Sequence, residues 1–498
     1  MEFLADIKNL MLPEATILIG ALLLCILAIS YPQSKKTAFI TTLIILITSM
    51  ALCFQLDTAT VVMTFGGSFL ISKFTVFFKE LILFGTILTV FLSDKYLNKI
   101  QKTASEFYMF LLVAILGALI LVSSRDFITM LVSLETLSIS GYILSGFLKE
   151  KQSQESMLKY LILGCVASAV MLYGISLLYG ISGSLRFETI YLATKNHQLF
   201  NVAALAGLFV LSGLCFKLAT IPFYNWAPDV YQNSPLSVAA FLSTVSKIAG
   251  FGIIIRLISE LFSGIWVLYL VVGIIALASM SIGNFLGLGE NNIKRLMAYS
   301  SIAHAGYILS VLCLGSTLSL SAAVFYIITY LFMNFAAWSC IELLDNSSET
   351  SIEDFQGLAY KRPYLATAIV ISFASLAGLP VFVGFFSKFY LFQSIAFAGF
   401  LLYPFLFFVL ANSLVAIYYY LKVIKVMFDE DVEFDKEIFL GKKFAAVFFV
   451  SVLFTLFAGI FSAPIITYSQ QIAQSQIPAV IEYESIEGTF FDNPQPAK

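Results

Sequence analysis

The sequence predicts an all-α polytopic membrane protein with about fourteen transmembrane helices. Three observations carry this. Only 12% of the 498 residues are charged and 60% are hydrophobic, against about 25% charged in soluble domains. The charges cluster between apolar runs of roughly 20 residues, the length that crosses a bilayer. Two runs are too long for one crossing and are broken by Pro and Gly.

In order, the runs lie at approximately 9–30, 37–56, 72–93, 105–123, 126–148, 157–180, 200–232, 236–262, 265–287, 293–314, 317–343, 364–399, 401–428 and 444–463. The first lacks a small-residue cleavage site and is long, so it reads as a span and not as a signal peptide. Residues 1–104 form an N-terminal group of three spans. Residues 105–262 and 263–428 form two sets of five, and 429–498 hold a loop, the last span and a polar tail. The run 200–232 passes through Pro222 and Pro228, and the run 364–399 through Gly378, Pro380 and Gly384. In a helix Pro222 would orphan the carbonyl of Leu218, and Pro380 that of Leu376. Freed backbone at membrane depth is tolerated where it is buried or lines a wet cavity. Each broken span is the fourth of its five. Five is odd, so the second set enters from the opposite face, which is the pattern of two inverted five-helix repeats.

Alternating loops separate the basic residues. Seventeen of the 28 Lys+Arg fall on one side, five on the other and six within spans. By the positive-inside rule this places both termini outside the cytoplasm. The connections at 345–363 and 429–443 read as solvated loops on the lysine-rich side. The six cysteines lie in apolar runs without C-x-x-C spacing and read as small buried hydrophobes. Two histidines make a multi-histidine haem or zinc site a poor fit. No P-loop, strand-borne G-x-G-x-x-G or H-E-x-x-H occurs, so no nucleotide site or redox centre is expected in this chain, and no nucleic-acid partner.

The chemistry lies in the spans. Glu135, Lys217, Lys247 and Lys388 sit inside apolar, membrane-length segments. Each costs roughly 2.5–3.5 kcal/mol at a bilayer centre, and together on the order of 10 kcal/mol if uncompensated. Lys247, in LSTVSKIAGF, is too far from either end of its span to snorkel. Its plainer reading is a lysine permanently paired with a carboxylate; the functional one is a proton site, since a buried lysine can shed its proton where arginine cannot. Lys217 and Glu135 are expected to form an ion pair that holds the lysine's proton while closed, or simply locks two helices. Lys388 follows the second break, near Gly384 and Ser387, unless it reaches the interface. His304, in YSSIAHAGY, is a candidate relay between Lys247 and Lys388 or a hydrogen-bonded core residue. His197 falls in a polar loop. Lys73, Lys79 and Glu80 look locally paired or snorkelling, Arg256, Glu260 and Glu342 lie near span ends, and the Phe and Tyr residues read as lipid-facing and packing side chains.

The segment FKLATIPFYNWAPDVYQNSPLSVAAFLSTVSKIAGF resembles the hallmark seventh-to-eighth-span region of the antiporter-like membrane subunits of respiratory complex I. LETLSISGYIL, YSSIAHAGYIL and GLPVFVGFFSKFYLF also match, so the resemblance covers most of the chain. It implies fourteen helices with two inverted five-helix repeats in the proton-pumping membrane arm of NADH:quinone oxidoreductase. Glu135 then looks like the family's paired glutamate, Lys217 like its partner, Lys247 like the central lysine and Lys388 like the terminal proton-transfer lysine, with His304 on the connecting axis. A lysine in GFFSKFYLF favours the N type over the M type, which usually has glutamate there, and the chain ends too soon after the last span for the lateral extension of the L type. Flavin, iron–sulfur clusters and quinone are then expected in partner subunits, beside other membrane-arm subunits and the lipid bilayer. The expected location is a bacterial plasma membrane or a thylakoid. The alternative is a subunit of a multi-subunit cation/proton antiporter; a third reading, an inert scaffold, gives the buried charges no role.

Overall fold

In the computed structural model, which describes residues 11–31, 35–56, 61–99, 103–344, 349–429 and 442–476, twelve helices are long and apolar enough to cross a membrane. The polar tail, most of the loop at 429–443 and the side chain of His197 lie outside the described residues.

The N-terminal group is α1 (Leu12–Ser30), α2 (Lys35–Gln55) and α3 (Lys73–Leu92). Between α2 and α3 runs a small hairpin that the all-helical reading did not include, with β1 (Val62–Thr64) antiparallel to β2 (Phe69–Ile71). The first five-helix set contains α4 (Ala104–Ser123), α5 (Phe127–Ser145) and α6 (Lys151–Ser182). It continues with α7 (Phe200–Leu218), α8 (Trp226–Asn233), α9 (Leu236–Ser243) and α10 (Val245–Arg256). The second holds α11 (Trp266–Leu288), α12 (Ile293–Leu312), α13 (Thr317–Leu344), α14 (Pro363–Ala377), α15 (Val383–Phe397) and α16 (Tyr403–Met427). α17 (Lys442–Ile460) and α18 (Ser462–Gln476) are the last of the described helices.

Two of the expected fourteen runs are not among the twelve. α12 carries Ser300, Ser301 and His304 and is buried throughout, so its low hydropathy reflects packing against protein. The run 364–399 is divided into α14 and α15, each of 15 residues.

Both expected breaks occur. α7 ends at Leu218, with Ala219 in the left-handed region (φ 55°). The freed backbone is met by side chains: Trp226 Nε1 donates to Phe216 O at 3.1 Å, and Ile221 N to Ser279 Oγ at 3.0 Å. α14 ends at Ala377 with Gly378 at φ 83°. At Gly384 a Cβ would overlap the Ser375 carbonyl, so glycine there lets the two half-helices meet backbone to backbone. A third interruption was not expected. The run 236–262 is split at Thr244, whose Oγ1 turns back onto Ala240 O, and it ends in a π turn at Leu257–Leu261. Hydroxyl back-bonding of this kind bends helices.

Burial sorts the helices. α9, α10, α12 and α13 form the interior, while α1, α2, α6, α16 and α17 present Leu, Ile, Val and Phe outward as a lipid-facing belt. Of the cysteines, Cys53, Cys215 and Cys340 are buried as expected, but Cys165 is exposed on α6. The interior is close-packed. A Cβ at Gly306 would lie 2.7 Å from Ala276 O, and one at Gly283 2.9 Å from Ala303 N, so these glycines let α11 and α12 touch.

On the lysine-rich side, the carboxylate of Asp94 collects Lys35 at 2.7 Å and Lys443 at 3.0 Å. Burial pushes the Asp94 carboxyl up, but the hydrogen bonds and charges of the two lysines outweigh it and hold the group below its usual range. A depressed carboxyl contributes stability above its unfolded value, near pH 4, and loses it as pH falls further. Asp94→Asn should therefore lower the thermal midpoint of the detergent-solubilised protein at pH 7 by the equivalent of about 1 kcal/mol, with the gap to wild type narrowing below about pH 4. Gly306→Val should cost about 1–3 kcal/mol by overpacking in the same assay, whereas Gly180→Ala, with open space around it, should not.

Candidate functional site

The site begins where α9 gives way to α10. Tyr330 OH donates to Ser243 O at 2.9 Å, and Trp338 Nε1 to Ser243 Oγ at 2.8 Å, so α13 holds the interruption. Lys247 lies three residues beyond Thr244 and is fully buried. Its Nζ donates to Ser301 O at 2.8 Å and Ser301 Oγ at 3.0 Å. Among the described residues no carboxylate pairs with it.

Ser301 leads along α12 to His304, one turn on and on the same face. His304 Nδ1 is 2.8 Å from Tyr326 OH and Nε2 is 3.1 Å from Tyr420 OH. Tyr420 OH also bonds Ser300 Oγ. Both ring nitrogens thus face hydroxyls, which can donate or accept, so either neutral tautomer and the cation all find partners.

Lys388 is buried and does not reach an interface. It turns back across the second break and donates to Ala377 O, the last carbonyl of α14, at 2.8 Å. A helix C-terminus carries partial negative charge and favours a cation. The ammonium also sits 5.2 Å from the ring centroid of Tyr307, itself packed edge-on against His304 at 5.9 Å. His304 therefore lies between Lys247 and Lys388.

Glu135 and Lys217 do not make the direct ion pair expected of them. Lys217 Nζ donates to Ser138 Oγ at 3.2 Å, while the Glu135 carboxylate accepts from Ser168 Oγ on α6. Ser138 is one helical turn after Glu135 on α5, so the two charges face the same strip of that helix. The reason is geometric. Lys217 is the penultimate residue of α7, and its stem packs beside Gly250 of α10, where a Cβ would lie 3.7 Å from Lys217 Cγ. Its ammonium nevertheless ends on α5, at Ser138 and not at Glu135.

One assignment changes. Tyr307, Tyr326, Tyr330 and Tyr420 are buried polar partners of the central residues and not lipid-facing packing. The four-residue spacing of Tyr326 and Tyr330 on α13 is the signal that was available. Of the two readings of Lys79, pairing holds: it is fully buried and pairs with Glu14 of α1 at 2.6 Å. Arg256 and Glu260 lie at the end of their span as expected, and are fully buried there. Lys73, by contrast, reaches Gln471 Oε1 at the surface.

Residues 124–414 match the family described as NADH:quinone oxidoreductase/Mrp antiporter, TM. The chain is 41% identical over 425 residues to NAD(P)H-quinone oxidoreductase subunit 2 of Prochlorococcus marinus (strain MIT 9215), covering 84% of this chain and 82% of that one. It is 36% identical over 496 residues to the chloroplastic NAD(P)H-quinone oxidoreductase subunit 2 of Mesostigma viride, covering 95% and 98%. Its fold is similar to a chain of respiratory complex I from Thermus thermophilus with bound aureothin, at a TM-score of 0.78, 30% identity and coverage of 91% and 98%.

Tyr326 and Tyr420 share one imidazole, so their contributions should couple. Tyr326→Phe and Tyr420→Phe should each cost about 1–3 kcal/mol by leaving a buried ring nitrogen unpaired. A double-mutant cycle on the thermal midpoint should return a coupling of about 0.5–3 kcal/mol.

Proposed function

The chain belongs to the NADH:quinone oxidoreductase/Mrp antiporter transmembrane family, and from that premise we propose that it is a proton-translocating membrane-arm subunit of an NAD(P)H:quinone oxidoreductase. One observation carries the reading: Lys217, Lys247 and Lys388 are buried at membrane depth and held by neutral oxygens. A neutral acceptor stabilises an ammonium without forbidding the amine, so the proton can leave. A scaffold would gain nothing from such partners and would bear their desolvation cost.

Protons enter from the cytoplasm near Lys247, pass through Ser301 and His304 with their tyrosine hydroxyls, and leave near Lys388. Glu135 and Lys217 set when Lys247 gives up its proton. As Lys217 moves toward Glu135 it gains a counter-charge, and as it moves away it presses its charge on Lys247. The drive comes from a redox module in partner subunits, which carry the flavin, iron–sulfur clusters and quinone site. The spans of residues 105–262 and 263–428 act as inverted repeats within a fourteen-helix subunit. The lysine-rich loops face the cytoplasm of a bacterial cell, or the equivalent side of a thylakoid, with both termini opposite.

The antiporter reading shares the fold and the lysines but has no redox partner. The names of the relatives favour the quinone oxidoreductase, and co-purification separates the two: flavin- and iron–sulfur-bearing partners support the first, small membrane partners alone the second. In the assembled complex, Lys247→Ala or Lys217→Ala should lower coupled proton pumping on the order of 10-fold or more, as loss of a positioned proton-transfer group does. Undiminished pumping by either variant, measured as acidification per quinone reduced, would overturn the proposal.

A further inference from the structure

A second ionic cluster lies at the lysine-poor end of the first five-helix set, and the lysine axis does not use it. Arg125, between α4 and α5, Arg256, the last residue of α10, and Glu260, in the π turn, are 4%, 0% and 1% exposed. Glu260 stands between the guanidiniums, with Oε1 3.5 Å from Arg256 Nε and Oε2 3.9 Å from Arg125 Nε. Arg256 Nη1 donates to Ser124 O at 3.0 Å, and Gln476 Nε2, at the end of α18, donates to Glu260 Oε1 at 2.6 Å. The nearby carboxylate of Asp126 is committed elsewhere, accepting from Thr129 N and Oγ1 to cap α5. Arginine keeps its proton at any physiological pH. Within the three side chains in contact, two permanent cations face one carboxylate, and the trio keeps a positive charge whether or not Glu260 is ionised.

A pocket of about 240 Å³, room for several waters, opens beside it. Ser259, Ser263, Tyr269, Ser316 and Ser319 supply its polar lining. On one side it abuts the cluster, because Ser259 Oγ accepts from the same Gln476 amide at 3.4 Å. The guanidiniums themselves do not line it; the pocket approaches the cluster through Ser259 and the Gln476 amide that also bonds Glu260.

We propose that Arg125, Arg256 and Glu260 form a fixed positive barrier that keeps protons on the lysine-poor face, and in the pocket beside the cluster, from reaching Lys247. Lys247 lies nine residues before Arg256, roughly 13 Å along the helix. A unit positive charge about 6 Å away, at an effective dielectric of about 20, disfavours a second cation on the order of 100-fold. Pores exclude protons with arginine on the same grounds. This rests on the proton-translocating reading above.

The test is a charge series in the intact complex reconstituted into liposomes, reading collapse of an imposed pH gradient with an entrapped pH dye and no substrate. Arg256→Gln neutralises the cluster and should raise the leak on the order of 10- to 100-fold. Glu260→Gln makes it more positive and should leave the leak at the wild-type level. The double variant, with Arg125 alone, should return to that level too. An unchanged leak in Arg256→Gln, or an equal rise in all three from loosened packing, overturns the barrier. The readout needs no turnover, so failure here leaves the pumping result with Lys247→Ala untouched, and failure there does not alter the order of leaks.

Discussion

An ammonium in a hydrocarbon-thickness bundle must be met by fixed dipoles, and the rest of this structure follows from how that is done. Lys388 is met by the carbonyl that ends α14, Lys247 by a serine carbonyl and hydroxyl on α12, and Lys217 by a serine hydroxyl on α5. Among the described residues none of the three closes an ion pair. Lys79, paired with Glu14 at 2.6 Å, shows the other solution, in which each charge fixes its partner. The bundle thus holds two kinds of buried lysine, one fixed by a carboxylate and one met by neutral oxygens.

The breaks are part of the same arrangement. A continuous helix spends its carbonyls on itself, so a lysine that bonds one, as Lys247 bonds Ser301 O of α12, shares an oxygen already in use, whereas a helix end offers one that is free. Interrupting α7–α8, α9–α10 and α14–α15 releases backbone groups at depth, and the residues around each interruption consume them in specific ways. Trp226 and Ser279 close the first, Tyr330 and Trp338 brace the second, and Lys388 itself occupies the third. The interior helices that carry these contacts are the most deeply buried in the molecule, and the apolar belt around them faces lipid.

Much of this was legible in the sequence, for physical reasons. Pro222, and Gly378 with Pro380, announced two breaks because proline removes a donor and glycine accepts a left-handed turn. Lys217, Lys247 and Lys388 announced themselves by their cost. What stayed hidden had no such signature. Thr244 interrupts a helix through its own hydroxyl, and nothing in LSTVSKIAGF distinguishes that from a threonine facing lipid. Tyr326 and Tyr420 are apolar enough to pass for packing until His304 is seen between them. Glu135 and Lys217 looked complementary, but complementarity of charge says nothing about reach: Lys217 ends on Ser138, one turn further along α5, and Glu135 on Ser168 of α6.

The Glu14–Lys79 contact bears on how the chain is made. Helices enter a membrane in order of synthesis, and α1 arrives with a carboxylate that has no use until α3 follows. When it does, the two charges can be buried together where either alone would cost roughly 2.5–3.5 kcal/mol. α1 thus carries the counter-charge that lets α3 bury its lysine.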